Sequence, residues 1–438
     1  MRRGTAVIVL AILLVAGVAR SAAAGARPAL AIGPDRPAVT QVARAGSPLA
    51  SARALNREQL RDELAAALRS AGGASGAWVA DVDAGGELFA SSASERRVPA
   101  SNQKLFTTAA FIDRFGGNGR LETRVFARGR RAGARAGTLR GDLVIVGDGD
   151  PALGTSAFAR RNDLPLTRVN ELARSVARSG VRRVTGRIRA DDSIFDRKRR
   201  AGPYLSPLSG LSFNSGHAGG GYAKSPELTA AKQLRRALAK RGVRVSGGVG
   251  RANLRRKQLR RDPLGAVSSP PVSALIAETN KPSNNFFAEM LLKRLGAEGG
   301  RRGTRKSGAN RVEAFARSVG TGVQAVDGSG LSRRNKASPK QVGELLVAMD
   351  GRDEAAAFAD SLAVAGRDGT LADRMRGTAA EGACRGKTGT LSGVSALSGY
   401  CEAGSQTIAF AILMNSVDVS AAHRAQDRMA AAIARYRP

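Results

Sequence analysis

A serine and a lysine one helical turn apart could form a nucleophile and its base. Ser101 and Lys104 lie in the segment PASNQKLFTTAA, residues 99–110, at the expected start of a helix. Residues at positions i and i+3 share a helix face, so the amine could take the proton of the hydroxyl. Only 12 of the 70 Lys and Arg residues are lysine. A guanidinium stays protonated, whereas the pKa of a buried amine near a second cation can fall, so this position favours a base.

Two later motifs contain residue types that acyl transfer also uses. An S-N-N triplet at residues 283–285 stands at the start of an apolar helix, and K-T-G-T at 387–390 lies in a strand-like segment. Each motif alone is a weak signal, because S-x-x-K, S-N-N and K-T-G also occur at ordinary helix starts, caps and turns. The combination is more specific. The candidate site residues are Ser101, Lys104, Ser283, Asn285, Lys387, Thr388, Gly389 and Thr390.

Several other chemistries are excluded by composition and spacing. The chain has only two histidines, His217 and His423, so a Cys/His zinc site is not expected and no metal or cofactor is predicted. A Ser-His-Asp triad is disfavoured as well, because no G-x-S-x-G motif occurs. The segment GACRGKTGT does not fit a phosphate-binding P-loop, since Glu381 stands where the first glycine is required. The chemistry is therefore expected to proceed without imidazole.

The three motifs in this order resemble those of the penicillin-recognising serine acyltransferases. The two serines are 182 residues apart (283 − 101), which is similar to the class C low-molecular-mass penicillin-binding proteins. This D-alanyl-D-alanine carboxypeptidase/endopeptidase family, which includes proteins like penicillin-binding protein 4, has insertions between the first two motifs. Other segments share the resemblance, which extends from about residue 56 to the C-terminus: GDGDP (147–151), DDSIFD (191–196), VDGSGLSR (326–333) and KTGTLSGVSALSGY (387–400).

The resemblance implies a serine DD-peptidase of peptidoglycan, a D-Ala-D-Ala carboxypeptidase and/or endopeptidase. Ser101 would attack the D-Ala-D-Ala or cross-link amide, and water would then hydrolyse the acyl-enzyme. Peptidoglycan peptides would be the substrates and β-lactam antibiotics the covalent inhibitors. Two alternatives stay open: a β-lactamase-like hydrolase would deacylate penicillin quickly, and a non-enzymatic wall-polymer-binding protein would keep only the fold. The intact Ser101 and Lys104 argue against the second.

The resemblance also implies how protons move in the reaction. Lys104 would be the base for Ser101, and Ser283 would pass a proton to the leaving amine. Asn285 would hold Lys104 and a substrate amide. The lysine of the third motif, Lys387, would be the second cation that lowers the pKa of Lys104.

The K-T-G-T segment would bind the substrate. Lys387 is expected to act as an electrostatic anchor, and together with the hydroxyls of Thr388 and Thr390 it would bind the terminal D-Ala carboxylate. The backbone N–H groups of Ser101 and Thr390 would form the oxyanion hole.

An acidic residue of the insertion can receive the amino end of the peptide's third residue in this family. Asp191 is the best match, and Asp192 is a close rival. The structural alternative is that either aspartate serves a turn or a helix cap.

These residues need elements that position them. The implied fold is α/β, a serine transpeptidase/β-lactamase-like domain with helices on an antiparallel sheet and a β-rich insertion. The sequence predicts a helix closed by Gly72-Gly73, a hairpin at 84–86 and a helix after Pro99. Residues 56–120 and 264–438 would form the catalytic domain. Residues 121–263 would form the inserted strand-rich module or modules, with helices near 167–179 and 226–241.

The two cysteines fall in a predicted hairpin. If the segment CRGKTGTLSGVSALSGYC turns at Ser392-Gly393, paired residues sum to 785, and so do 384 and 401. Cys384 and Cys401 would then be direct cross-strand neighbours, close enough for a disulfide. A disulfide would suit an oxidising compartment.

The N-terminus is typical of an exported protein. Arg2 and Arg3 precede an apolar stretch at 6–18 and small residues at 22–24, so residues 1–24 predict a secretory signal peptide. Residues 25–55 are predicted to be a flexible leader. The mature protein is expected in the periplasm, outside the cell or in the cell wall.

The charge of the chain concerns its environment more than its chemistry. The formal net charge is +34, yet aromatic residues make up only 4% and the arginines are scattered. Together with the export signal, this argues against nucleic acid as a partner. A basic surface could instead attract anionic wall polymers or a membrane surface.

Overall fold

The computed structural model describes residues 53–132, 137–200, 202, 205–252 and 262–438. The predicted signal peptide and residues 25–52 of the predicted leader lie outside the described residues. Within these ranges the helices are α1 (Arg57–Ala71), α2 (Gln103–Phe115), α3 (Ser156–Asn162), α4 (Val169–Arg178), α5 (Pro226–Ala239), α6 (Val272–Asn280), α7 (Asn285–Gly296), α8 (Arg305–Ser318), α9 (Pro339–Asp350), α10 (Ala355–Asp360) and α11 (Val419–Arg435).

The strands form two main sheets and two short two-stranded pairs. They are β1 (Ala74–Asp81), β2 (Glu87–Ser91), β3 (Glu122–Ala132), β4 (Thr138–Val146), β5 (Leu153–Gly154), β6 (Thr167–Arg168), β7 (Arg183–Val184), β8 (Ile188–Asp191), β9 (His217–Ala218), β10 (Gly221–Tyr222), β11 (Arg244–Val245), β12 (Val249–Arg251), β13 (Gly265–Ser268), β14 (Ala363–Val364), β15 (Cys384–Leu391), β16 (Val394–Ala403) and β17 (Gln406–Asn415).

The first sheet has six strands in the order β14-β15-β16-β17-β1-β2, and all its pairs are antiparallel. Successive side chains of β17 face opposite layers, as the period of a strand requires. Ile408 and Phe410 pack with α1 and α11, whereas Ala409 and Ala411 pack with α2 and α6–α9. Helices therefore cover both faces of an antiparallel sheet, which confirms the predicted fold class.

The second sheet has seven strands and its own apolar core. Its main order is β11-β7-β4-β3-β13, and β8 pairs with β4 and β12. Helices α4 and α5 contribute Leu172, Val176 and Leu234 to this core. The last strand, β13, ends at Ser268, so the sheet continues five residues past the predicted insertion boundary at 263. The division into a catalytic domain and an inserted module stays a prediction.

Most elements expected from the sequence are present. Helix α1 ends before Gly72, the β1–β2 hairpin turns at 82–86, and α4 and α5 lie where helices were expected. The short helix α3 was not predicted. Its start has a sequence signal, because the Thr155 side chain accepts a hydrogen bond from Phe158 N. Seven residues give too little hydrophobic periodicity to recognise it.

The disulfide between Cys384 and Cys401 is confirmed. The two cysteines are register partners in the β15–β16 hairpin, with Cα atoms 4.0 Å apart. The hairpin turns at Ser392-Gly393, where Gly393 has φ 67°, a value that glycine adopts without strain. Both cysteines are buried against α11. The disulfide therefore holds the start of β15, the strand that also contains the K-T-G-T segment.

Removing the disulfide should destabilise the protein. For the double variant Cys384→Ala/Cys401→Ala we expect the free energy of unfolding in urea to fall by about 2–4 kcal/mol, the usual effect of losing a cross-link. Wild-type protein unfolded in dithiothreitol is the control and should lose a similar amount. A non-reducing peptide map of wild-type protein that shows two free thiols would contradict the pairing.

Candidate active site

Ser101 lies in a short 3₁₀ turn, Ala100–Asn102, that leads directly into α2. Ala100 has φ 47°, an uncommon value for a residue with a side chain, and it is fully buried against Val98 and Val394. The Asn102 side chain donates a hydrogen bond to Ser398 Oγ on β16 at 2.6 Å. The turn is therefore fixed to the sheet, and the Ser101 side chain stays partly exposed.

Lys104 is fully buried, and its amine contacts three oxygen atoms. Nζ lies 2.9 Å from Ser101 Oγ, 2.7 Å from Asn285 Oδ1 and 2.6 Å from the Ser329 carbonyl oxygen. The amide oxygen and the carbonyl can only accept hydrogen bonds. A neutral amine has two N–H groups for these two acceptors, so its lone pair is left for the Ser101 hydroxyl. The geometry is that of a base and its nucleophile.

Burial lowers the pKa of Lys104 to about 7, even though Asp327 and Glu289 act to raise it. The sequence analysis named burial together with a second cation, Lys387, as the reason for a lowered pKa. Loss of water around the buried amine is the largest cause of the shift. Near neutral pH an appreciable fraction of Lys104 is therefore unprotonated.

The second motif stands at the start of α7. Asn284 is the N-cap residue, since its side chain accepts a hydrogen bond from Phe287 N. Asn285 is the first helical residue and reaches Lys104. Ser283 has φ 63°, a strained value for serine, and lies two residues before Asn285. No described hydrogen bond joins the Ser283 hydroxyl to Ser101 or Lys104, so Ser283 is near in sequence but not directly connected.

The third motif lies on β15, beside Ser101. A Cβ atom on Gly389 would lie 2.9 Å from Pro99 O and 3.0 Å from Ser101 N, so only glycine allows this approach. Thr390 is the next residue and is exposed, and Thr388 Oγ1 donates to Thr370 Oγ1 at 2.7 Å. The strand edge thus runs directly against the backbone of Ser101.

Lys387 is fully buried, and its amine donates to Thr388 O at 2.9 Å. Burial, and then the positive charge of Lys104, hold the pKa of Lys387 well below its usual range. An anion that entered the site would favour the charged form of this amine.

A turn that the sequence analysis left without a role completes the site. Residues 326–330, here called the VDGSG turn, supply the Ser329 carbonyl that accepts from Lys104. Glu289 on α7 is buried and accepts hydrogen bonds from the turn. The sequence analysis used the VDGSGLSR segment only as part of the family resemblance. The other feature of the sequence that could have indicated this contact is a glutamate inside an apolar helix, four residues after Asn285.

Asp191 is not connected to this cluster by any described contact. Its side chain is buried and accepts a hydrogen bond from Ser193 N, a local turn interaction. Asp192 pairs with Arg199 and accepts a hydrogen bond from Ser209. Both aspartates thus have structural partners.

Comparison with protein families identifies the chain. The D-Ala-D-Ala carboxypeptidase 3 (S13) family model matches residues 57–207 and 222–436. The chain belongs to this family. Among S13-like relatives, a D-alanyl-D-alanine carboxypeptidase of Actinomadura sp. is 32% identical, over 89% of this chain and 87% of the relative. Carboxypeptidase DacB of Mycolicibacterium smegmatis is 29% identical, over 94% of this chain and 92% of that protein.

Solved structures show the same fold as this S13 chain. Penicillin-binding protein 4 of Haemophilus influenzae matches with a TM-score of 0.68 and 18% identity, covering 84% of this chain and 97% of that one. A predatory peptidoglycan endopeptidase of Bdellovibrio bacteriovorus matches with a TM-score of 0.51 and 17% identity, covering 80% and 90%. The resemblance to the penicillin-binding protein 4-like family is confirmed, and the chain is a serine DD-peptidase.

The described part of this S13 chain contains no group of three or more His, Cys, Asp or Glu side chains placed to hold a metal ion. Likewise, none of the described helices is long and apolar enough to cross a membrane.

The two lysines should respond differently to arginine. Lys104→Arg leaves a group that cannot lose its proton, so we expect the acylation rate to fall by about 10²- to 10⁴-fold. Lys387→Arg keeps a positive charge and should lose less. If Lys104 accepts the Ser101 proton, the acylation rate of wild-type protein should rise with pH through about 7, because only the neutral amine can take up a proton. Stopped-flow acylation by a fluorescent penicillin measures these effects, and thermal unfolding verifies matched folding. A near-normal rate for Lys104→Arg would exclude Lys104 as the base.

Proposed function

We propose that Ser101 is the nucleophile that forms the acyl-enzyme with the D-Ala-D-Ala or cross-link amide of peptidoglycan peptides. One observation supports this most strongly: the buried amine of Lys104 lies 2.9 Å from Ser101 Oγ, and its other two contacts are both acceptors. The neutral amine can therefore direct its lone pair at the Ser101 hydroxyl. β-Lactams, which present a strained amide, would acylate the same oxygen and act as covalent inhibitors.

In the proposed acylation step, the Ser101 proton passes to Lys104 as Oγ attacks the carbonyl carbon. The N–H groups of Ser101 and Thr390 would stabilise the oxyanion. The close approach of Gly389 to Ser101 N supports this pairing, because it brings the two backbones together. The C–N bond then breaks, and Ser283 would relay to the leaving amine the proton that Lys104 took from Ser101. Water would next attack the ester and release Ser101.

The terminal carboxylate of the substrate would bind at β15. Lys387 supplies the positive charge, and Thr388 and Thr390 supply hydroxyl donors on the accessible side of the strand. Because burial disfavours the charged form of Lys387, the bound carboxylate would itself stabilise the proton on the amine. The site would therefore favour a free carboxylate over a neutral end of the peptide.

Asp191 as the partner of the third peptide residue stays a prediction. Its buried side chain already serves the turn at 191–193, and Asp192 is paired with Arg199. The structural interpretation of both residues is therefore the simpler one.

Export is part of the proposal, since the substrate lies outside the cytoplasm and residues 1–24 have the composition of a signal peptide.

We propose anionic wall polymers as a further partner. Support comes from a cavity of about 960 Å³ between α5 and strands β7, β11 and β12, with Val243, Val245 and Val249 in its wall. Its exposed cations, for which no ion pair is described, are Arg183, Lys232, Arg235, Arg236 and Arg244. A concave cationic surface suits a linear polyanion better than a flat lipid surface.

Labelling with a fluorescent penicillin tests the proposed nucleophile. One adduct is expected, on the peptide that contains Ser101, and the Ser101→Ala variant should show none. The lifetime of the adduct separates the alternatives. The penicillin adduct of a DD-peptidase should last much longer than the time that the free enzyme needs for one turnover of a peptide ending in D-Ala-D-Ala. Rapid loss of the label would favour a β-lactamase-like hydrolase. Absence of any label on folded wild-type protein would favour a non-enzymatic wall-binding protein.

Charge-matched variants test the anionic partner. The variant Arg183→Gln/Arg235→Gln/Arg244→Gln removes three of the cations of this cavity. It should bind polyphosphate roughly tenfold more weakly than wild type, a loss of about 1.4 kcal/mol of binding free energy. The control variant Arg160→Gln/Arg161→Gln/Arg178→Gln removes equal charge from exposed positions on α3 and α4 and should bind normally. Equal losses in both variants would assign binding to overall charge. Preference for vesicles with anionic lipid over polyphosphate would point to a membrane surface.

A further inference from the structure

Glu289 lies one helical turn after Asn285 on α7 and is almost fully buried. Its Oε1 atom accepts two hydrogen bonds from the VDGSG turn, from Gly328 N at 3.0 Å and from Ser329 N at 2.9 Å. Its Oε2 atom is buried and has no hydrogen-bond partner among the described residues. Burial of a carboxyl oxygen without a hydrogen-bond partner costs free energy, so a glutamate at this position calls for an explanation.

Ser329 connects this carboxyl group to the base. Its N–H donates to Glu289, and its carbonyl oxygen accepts from Lys104 Nζ at 2.6 Å. On the same turn, the Gly328 carbonyl accepts from Thr107 Oγ1 on α2 at 3.1 Å. The carbonyl that orients Lys104 is therefore held in place by a carboxyl group on another helix.

The VDGSG turn has little room to move. A Cβ atom on Gly328 would lie 2.6 Å from Ala288 O, and one on Gly330 would lie 1.8 Å from Ala100 O. The turn is thus wedged between α7 and the backbone that precedes Ser101. Asp327 fixes its other end by accepting hydrogen bonds from Gly330 N and from the Asn335 side chain. A shift of the turn would be transmitted to the nucleophile.

We infer that Glu289 is a positioning residue for acylation: its carboxyl group fixes the VDGSG turn so that the Ser329 carbonyl holds the Lys104 amine against Ser101. This inference rests on the proposed function of Ser101 and Lys104 and assigns a role to a residue outside the three motifs. Glu289 touches neither the Ser101 hydroxyl nor the place where substrate would bind, and it acts through Ser329.

The charge of Glu289 gives the same residue a second effect. Burial and then Asp327 raise the pKa of Glu289 to about 7, and a charged Glu289 in turn raises the pKa of Lys104. Of the neighbouring charged groups, Asp327 acts on both residues and Arg305 acts on Glu289, whereas Glu289 raises the pKa of Lys293 and Lys104 lowers the pKa of Lys387. When Glu289 is neutral, Lys104 loses its proton more readily. Removing the charge while keeping the oxygen should therefore move the Lys104 titration to lower pH.

Two substitutions separate the two effects. Glu289→Gln keeps an acceptor oxygen for the turn and removes the charge. Its acylation rate should stay within about threefold of wild type, an effect below 1 kcal/mol, and the rise of rate with pH should begin at lower pH. Glu289→Ala removes the acceptor and leaves two backbone N–H groups unpaired. Its acylation rate should fall by about 10- to 100-fold, the scale of misplacing a catalytic group by about 1 Å.

The measurement is acylation by a fluorescent penicillin from pH 5 to 9, with thermal unfolding of every variant. Glu227→Ala is the matched control, since Glu227 is also almost fully buried but pairs with Arg199 and with Arg251 of β12 in the second sheet. It should lose stability and keep its acylation rate. A wild-type rate and pH profile in folded Glu289→Ala would overturn the inference, and so would an equal loss of rate in Glu227→Ala.

A second readout does not depend on turnover. Because the chain has only 12 lysines, ¹³C NMR of lysine-labelled protein can follow the Lys104 signal, assigned with Lys104→Arg. The Lys104 titration should move to lower pH in Glu289→Gln, and an unchanged titration would overturn the electrostatic part of the inference. If wild-type protein is not labelled by penicillin, the proposed function fails, while this titration still decides whether Glu289 acts on Lys104.

Discussion

The site depends on the complete burial of one amine, that of Lys104, away from water. Lys104 has no exposed surface, and its three contacts come from three separate parts of the chain: the 3₁₀ turn before α2, the start of α7 and the VDGSG turn. Loss of water lowers its pKa, and two pure acceptors leave its lone pair for Ser101. Each of the surrounding elements must therefore hold its position closely, since water admitted beside the amine would raise its pKa towards the ordinary value.

The cost of this arrangement is visible in the backbone. Ala100 directly precedes Ser101, and Ser283 lies two residues before Asn285; their φ values are positive, 47° and 63°. Such conformations are unfavourable for residues with side chains and persist only where the surroundings enforce them. The buried contacts of Ala100 with Val98 and Val394 provide such enforcement at the first position. Strain and close packing thus occur together where the chain presents reactive groups.

The sequence predicted the parts of this site that are local or that follow a simple rule. Serine and lysine at positions i and i+3 share a helix face, and the position of the predicted hairpin turn sets a register that pairs Cys384 with Cys401. The function of Glu289 could not be recognised in this way, because its hydrogen bond to Ser329 joins residues 40 positions apart across a tertiary contact. The lowered pKa of Lys104 was expected for a buried amine, but the contacts that bury it could not be predicted, since they depend on how α2, α7 and the turn pack.

The six-stranded sheet also affects the order in which the parts of the site form during synthesis and folding. Strand β1 pairs with β17, so Ala74 and its partner Asn415 are 341 residues apart (415 − 74). Contacts this distant require a large loop to close and form late in folding. Synthesis begins at the N-terminus, so Ser101 and Lys104 emerge long before β15 and β17. A growing or truncated chain would contain Ser101 and Lys104 without β15, the strand that lies against Ser101, so the arrangement of the site would be complete only once the C-terminal strands are in place.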